Sequence, residues 1–112
     1  MSYKTIPTPT FSKSLKVLAK RYRSMKSDIS TFRESLEENP FQGTELTPGV
    51  RKIRMTIESK GKGKSSGARV ITYTTLTDEE SGKIWLLDIY DKSDYSTIKI
   101  EVIKKMLKDL NS

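Results

Sequence analysis

The sequence predicts an α+β domain, with elements in the order β-α-α-β-β-β-α and an antiparallel sheet packed by helices. Three observations predict it. Two stretches before residue 40 repeat their apolar residues at spacings of three and four. After residue 50 the repeat shortens to two, and residues 96–110 return to the helical spacing. A chain of 112 residues supports one such domain, residues 1–112, with a core large enough to fold without staples.

Taken in order, "YKTIP" at residues 3–7 reads as a short strand closed by Pro7 and Pro9. In "PTFSKSLKVLAKRYRS", Phe11, Leu15, Leu18 and Tyr22 share one face of a helix, with Thr10 or Ser12 as its cap. Lys13, Lys16, Lys20 and Arg21 lie on the other face. A second helix from Lys26 to Glu38 carries Ile29, Phe32 and Leu36. It ends at "ENP", because the residue before Pro40 disfavours the helical region. Two helices so closely joined predict an αα-hairpin. "FQGTELTPGV" reads as a connecting loop.

In "VRKIRMTIE", Ile53, Met55 and Ile57 point one way, and Lys52, Arg54 and Thr56 the other. The apolar set must face the core, so Lys52 and Arg54 project together from an open sheet face. They stand about 7 Å apart, near the spacing of successive phosphates on a single strand. "KGKGKSSG" connects to a strand in "ARVITYTTLT", "DEESG" makes a turn, and "KIWLLDIY" has the continuous apolar run of a central strand. The closing helix in "STIKIEVIKKMLKDL" repeats Ile98, Val102, Met106 and Leu110, with Ile103 and Leu107 beside them, a face that fits a sheet.

Composition narrows the chemistry. Hydrophobic residues make up 34% of the chain, and no apolar run approaches the roughly 18–20 residues needed to cross a bilayer. The opening "MSYKTIPTPTF" lacks the basic-then-apolar pattern of a signal peptide, so a cytoplasmic protein with no membrane partner is expected. There is no cysteine, which removes disulfides and thiolate chemistry, and no histidine, which removes the side chain that titrates nearest neutrality. Carboxylates, lysine, arginine, tyrosine and hydroxyls remain. "DEES" is a turn, and Asp88, Asp91 and Asp94 scatter around one strand end, so no metal site and no cofactor are expected.

The net charge is +7, and residues 51–69 hold most of the excess. Arg51, Lys52, Arg54, Lys60, Lys62, Lys64 and Arg69 stand there against Glu58 alone. Such a concentration draws polyanions and releases their counterions. Lys52 and Arg54 from one strand and Arg69 from the next converge on the open face, and the glycine-punctuated loop between them can fold over what they hold. Tyr73 lies on the face of Arg69, and Tyr90 and Lys92 end the last strand. Each tyrosine fits either core filling or stacking on a splayed base, and Lys92 either plain surface or the site. Lysine and arginine can stabilise the charge of RNA cleavage without a metal. A lysine crowded by cations also has its pKa pushed below about 10.4, towards use as a base. "GKGKSSG" precedes a strand, not a helix, and so lacks the dipole that a phosphate loop uses.

The run "GVRKIRMTIESKGKGKSSGARVITYTTL", followed by "IWLLDIYDKSD", resembles the RelE/HigB family of bacterial type II toxin–antitoxin toxins, in the RelE/ParE superfamily. The likeness extends over most of the chain, from two helices ending in "NPFQG" to the final helix. It implies a small RelE-like (microbial RNase-like) domain that cuts messages in the ribosomal A site, on the 30S subunit. Cleavage would be metal-independent, through the RNA 2′-hydroxyl, and a cognate antitoxin would hold the protein inactive. Carried over by motif, the family's catalytic basic residues fall on Lys52, Arg54, Arg69 and Lys92, and Tyr90 completes the site. Arg51, Lys60, Lys62, Lys64 and Tyr73 would grip neighbouring RNA. Some members place a catalytic tyrosine or histidine where Ile98 stands here, which leaves Tyr90, Tyr95 or a lysine as base. ParE-like members of the superfamily instead inhibit DNA gyrase, and a third reading is RNA or ribosome binding without cleavage.

Overall fold

The computed structural model describes residues 2–61, 63–95 and 97–110, with the backbone alone for Lys64. Its elements are β1 (Ser2–Pro7), α1 (Pro9–Arg21), α2 (Met25–Glu38), β2 (Thr44–Thr47), β3 (Val50–Met55), β4 (Ala68–Leu76), β5 (Ser81–Asp91) and α3 (Ile100–Leu110). The strands form one mixed sheet in the order β1-β5-β4-β3-β2. Two short 3₁₀ turns, Glu58–Lys60 and Lys64–Ser66, occupy the connection between β3 and β4.

The helix positions follow from their caps. α1 starts at Pro9, and Thr8, not Thr10 or Ser12, caps it: Thr8 Oγ1 accepts from the Phe11 N–H at 3.2 Å. Proline in the first turn forfeits no hydrogen bond there, which moves the start ahead of the expected caps. The same Thr8 hydroxyl donates to the Leu86 carbonyl at 2.9 Å, fixing the helix start to the sheet.

The sheet departs from expectation twice. "FQGTELTPGV" contains the strand β2, which pairs antiparallel with β3 through Thr44↔Lys52 and Glu45↔Arg51. Pro48-Gly49, with Gly49 at φ 80°, makes the two-residue turn between them. A four-residue strand with one apolar residue, Leu46, gives almost no alternation to read. The sheet is also mixed, not antiparallel: β1 runs parallel to β5, from Ser2↔Ser81 to Pro7↔Leu86. The expected meander holds for β3, β4 and β5.

Each face of the sheet has its own core. Phe11, Leu18, Met25, Ile29, Phe32 and Leu36 of α1 and α2 pack on Ile53, Met55, Val70, Ile84, Leu86 and Ile89. On the opposite face Val50, Ile71, Leu87 and Tyr90 lie under Ile103 of α3, with Met106, Leu107 and Leu110 beside it. The terminal helix thus packs on the sheet as its pattern predicts. The β4–β5 register shifts between Ile71 and Thr72, so Leu87 is an extra residue in β5. Among the described residues no helix is long and apolar enough to cross a membrane.

Candidate cationic cleft

Strand register assembles the cleft. Arg54 of β3 pairs with Arg69 of β4, and Arg69 with Tyr90 of β5; in the next row stand Lys52, Ile71 and Asp88. Residues opposite one another in a sheet share a face, so Lys52, Arg54, Arg69 and Tyr90 lie on the α3 side. Lys52, Arg54, Arg69 and Lys92 line one cleft of about 640 Å³ with Gln42, Gly43 and Thr44. Of the five residues expected to carry catalysis, four therefore share one cavity.

Backbone contacts fix the cleft's shape. Lys92 donates its N–H to the Gly67 carbonyl at 3.1 Å, which holds the end of β5 against the start of β4. A side chain at Gly67 would bring Cβ to 2.1 Å from the Met55 carbonyl oxygen, so only glycine lets the strand ends close up. Gly43, at φ 75°, forms part of the wall, and its Cβ would meet the Lys52 carbonyl oxygen at 2.3 Å.

Arg69 is 5% exposed. Its Nη1 donates to the Ala68 carbonyl at 3.2 Å and its Nη2 to the Ser65 carbonyl at 2.9 Å, so the guanidinium is positioned in advance. Burial, then the like charge of Arg54, pushes its pKa down. It stays charged at any ordinary pH, because guanidinium starts so high. Two cations held side by side repel, and an anion between them relieves both. That is the chemistry this arrangement offers: binding an anion and stabilising charge that develops on it.

Tyr90 lies in the wall of the α3 core, 7% exposed, with no hydrogen-bond partner for its hydroxyl among the described residues. Burial raises its pKa despite the opposing pull of Arg69, so the phenol keeps its proton at neutral pH. Tyr90 is the one of the five that does not line the cleft, its hydroxyl is buried as placed, and serving as a base is costly. Its ring meets Tyr95 edge to face, 5.8 Å between centroids.

The other expected contacts divide. Lys60 does not line the cleft. Its Nζ donates to Asp91 Oδ1 at 2.8 Å and Ser93 Oγ at 2.7 Å, and it lies 6.0 Å from the centre of the Tyr22 ring. Lys60, expected to grip RNA, is held here by a buried carboxylate. Arg51 points to the other side of β3, where its Nε donates to the Gln42 carbonyl at 2.7 Å, so it braces the cleft wall from behind. Tyr73 packs in the α3 core beside Gly49, the core-filling alternative. Lys62 and the side chain of Lys64 lie outside the described residues.

Sequence reasoning missed the group that organises this end of the sheet. Asp91, with its side chain fully buried, accepts from Lys60, from Arg21 Nη1 at 3.1 Å, from the Tyr22 hydroxyl and from the Ser93 N–H at 2.9 Å. Burial alone would raise its pKa, but the bonds from Lys60, Tyr22, Ser93 and Arg21 outweigh burial and hold it far below the usual carboxylate range. Arg21 also reaches Asp94 at 2.8 Å. The available signal was the charge at the end of an apolar run, "LLDIYD". No known protein-family model matches the chain.

Proposed function

We propose that this chain is the toxin of a type II toxin–antitoxin pair: a cytoplasmic, ribosome-dependent mRNA endonuclease with a RelE-like domain. One observation carries the reading. Lys52, Arg54, Arg69 and Lys92 reach a single cleft from β3, β4 and the turn after β5. In that role Arg69, braced by two carbonyls, holds the scissile phosphate. Lys52 and Arg54 neutralise charge as the RNA 2′-oxygen, its proton lost to water, bonds to phosphorus and the P–O5′ bond breaks, and Lys92 serves the leaving-oxygen side. No step draws on a metal or cofactor. The partners are mRNA on the 30S A site and an acidic cognate antitoxin.

A second reading, RNA or ribosome binding without cleavage, is favoured by one feature: among the described residues neither a carboxylate nor an imidazole lines the cleft to act as base. A ParE-like action on gyrase has no such support, since a protein target does not call for four converging cations.

Brief induction in bacteria, followed by mapping of mRNA 5′ ends, tests these readings. Arg54 and Lys92 are exposed, so Arg54→Ala and Lys92→Ala probe the cleft without disturbing the core. The expected result is new ends inside translated regions that vanish in both variants. Intact messages with wild-type protein bound to ribosomes would overturn cleavage in favour of binding. Arrest of DNA synthesis with intact messages would move the target to gyrase.

A further inference from the structure

A smaller pocket lies against β5, one strand away from Arg69 of the cleft. β1 covers the outer edge of β5 only as far as Leu86. Beyond it, Ser14 of α1 and the segment after β5 flank the bare edge and enclose about 200 Å³. That is the volume of roughly seven waters, room for one planar ring system.

We infer that this pocket, walled by Ser14, Asp88, Tyr90, Tyr95, Thr97 and Ile98, binds one nucleobase bearing an exocyclic amino group. The base would belong to an RNA whose phosphate lies in the cleft, so the source of the ligand rests on the RNA reading above. Tyr90 links the two sites: it stands opposite Arg69 in the β4–β5 register and forms the pocket's inner wall. Neighbouring strands are about 4.8 Å apart, so pocket and cleft lie within one nucleotide's reach.

The lining carries the chemistry of base recognition. Tyr95 is 61% exposed yet fixed edge-to-face on Tyr90, which leaves a broad aromatic surface at the rim. Every base has a π-face to stack there. Asp88 supplies selectivity. Its Oδ1 accepts from Ser14 Oγ at 2.7 Å and from the Ile89 N–H at 2.9 Å. Its Oδ2 has no partner among the described residues and is left to accept from a ligand. Burial pushes the Asp88 carboxyl up, and an incoming N–H donor stabilises its anion. Adenine, cytosine and guanine present an amino group at the edge. Uracil presents one N–H flanked by two carbonyl oxygens, which repel a carboxylate.

The test is binding of 5′-mononucleotides to the full chain, followed by ¹⁵N-resolved NMR: AMP, CMP, GMP and UMP, with inorganic phosphate as the baseless control. The three amino-bearing nucleotides should bind at least fivefold more tightly than UMP or phosphate and shift the resonances of residues 88–98. Tyr95→Ala, at an exposed position, should weaken them roughly fivefold or more. Asp88→Asn should erase the discrimination against UMP. Equal binding of all four nucleotides and phosphate, or unchanged affinities in Tyr95→Ala, would overturn the inference. This readout needs no cleavage. Base preference without message cleavage would sink the nuclease reading and leave the pocket standing. Message cleavage without base preference would do the reverse.

Discussion

Replacing Asp91 by alanine removes a carboxylate that receives donors from α1, the β3–β4 connection and its own turn. The largest consequence falls on Lys60, whose side chain is only 13% exposed and would be left without its counter-charge. Stripping one partner from such a pair costs about 3–5 kcal/mol. Arg21, at 41% exposure, can rehydrate and keeps Asp94, so its share is small. The expected loss is therefore about 3–5 kcal/mol, a large part of the roughly 5–15 kcal/mol that holds a domain folded. In urea that lowers the unfolding midpoint by about 2 M, with the slope little changed. The double variant Asp91→Ala/Lys60→Met should regain part of the loss, because it leaves no stranded ammonium. A loss under about 1 kcal/mol, or a double variant no more stable than Asp91→Ala, would refute the account of a stranded charge.

Three further outcomes follow from the same contacts. The folded pKa of Asp91 lies well below its unfolded value near 3.9, so its stabilisation is present above that pH and drains away as pH falls towards the folded value. Thermal unfolding below pH 4 should show this loss in the wild type and a flatter profile in Asp91→Asn. If Arg54 and Lys92 contact phosphates, Arg54→Ala and Lys92→Ala should each flatten the salt dependence of single-stranded RNA binding by about 0.7 in log–log slope; unchanged slopes would remove them from the interface. Gly67→Ala should destabilise by about 1–3 kcal/mol, because its Cβ collides with the Met55 carbonyl. It should also weaken RNA binding, since Lys92 loses its backbone anchor; a variant of wild-type stability would show that the strand ends can part freely.

Patterns that repeat were legible in the sequence, and single long-range partners were not. The period of three and four fixed α1 and α2, and the period of two put Lys52 and Arg54 on one face, where they stand. Arg69 could be joined to them because a meander brings consecutive strands together. β2 escaped because four residues with a single apolar one, Leu46, carry no alternation, although Pro48-Gly49 marks its turn. The parallel pairing of β1 with β5 joins residues some 79 positions apart, Ser2 with Ser81, and no local pattern encodes it. The partner of Lys60 was hidden for the same reason: Asp91 is 31 residues away.

Lys60 and Lys92 differ in what the fold sets against them. Both are lysines near the same end of the sheet. Asp91 and Lys92 are neighbours in sequence, and the turn at the end of β5 sends the carboxylate inward and the ammonium into the cleft. The inward carboxylate collects Lys60 and Arg21 and binds the β3–β4 connection to α1. Among the described residues, Lys52, Arg54, Arg69 and Lys92 share their cleft with no acidic residue. A basic segment becomes a site where the fold withholds carboxylates, and it becomes scaffold where the fold supplies one. Moving a carboxylate across that boundary should therefore silence the cleft while leaving the fold intact. Thr44→Asp, at an exposed position of β2 opposite Lys52, does so with one substitution. Its expected result is wild-type unfolding behaviour with lost RNA binding, and retained binding would show that the cleft does not bind RNA through its charge.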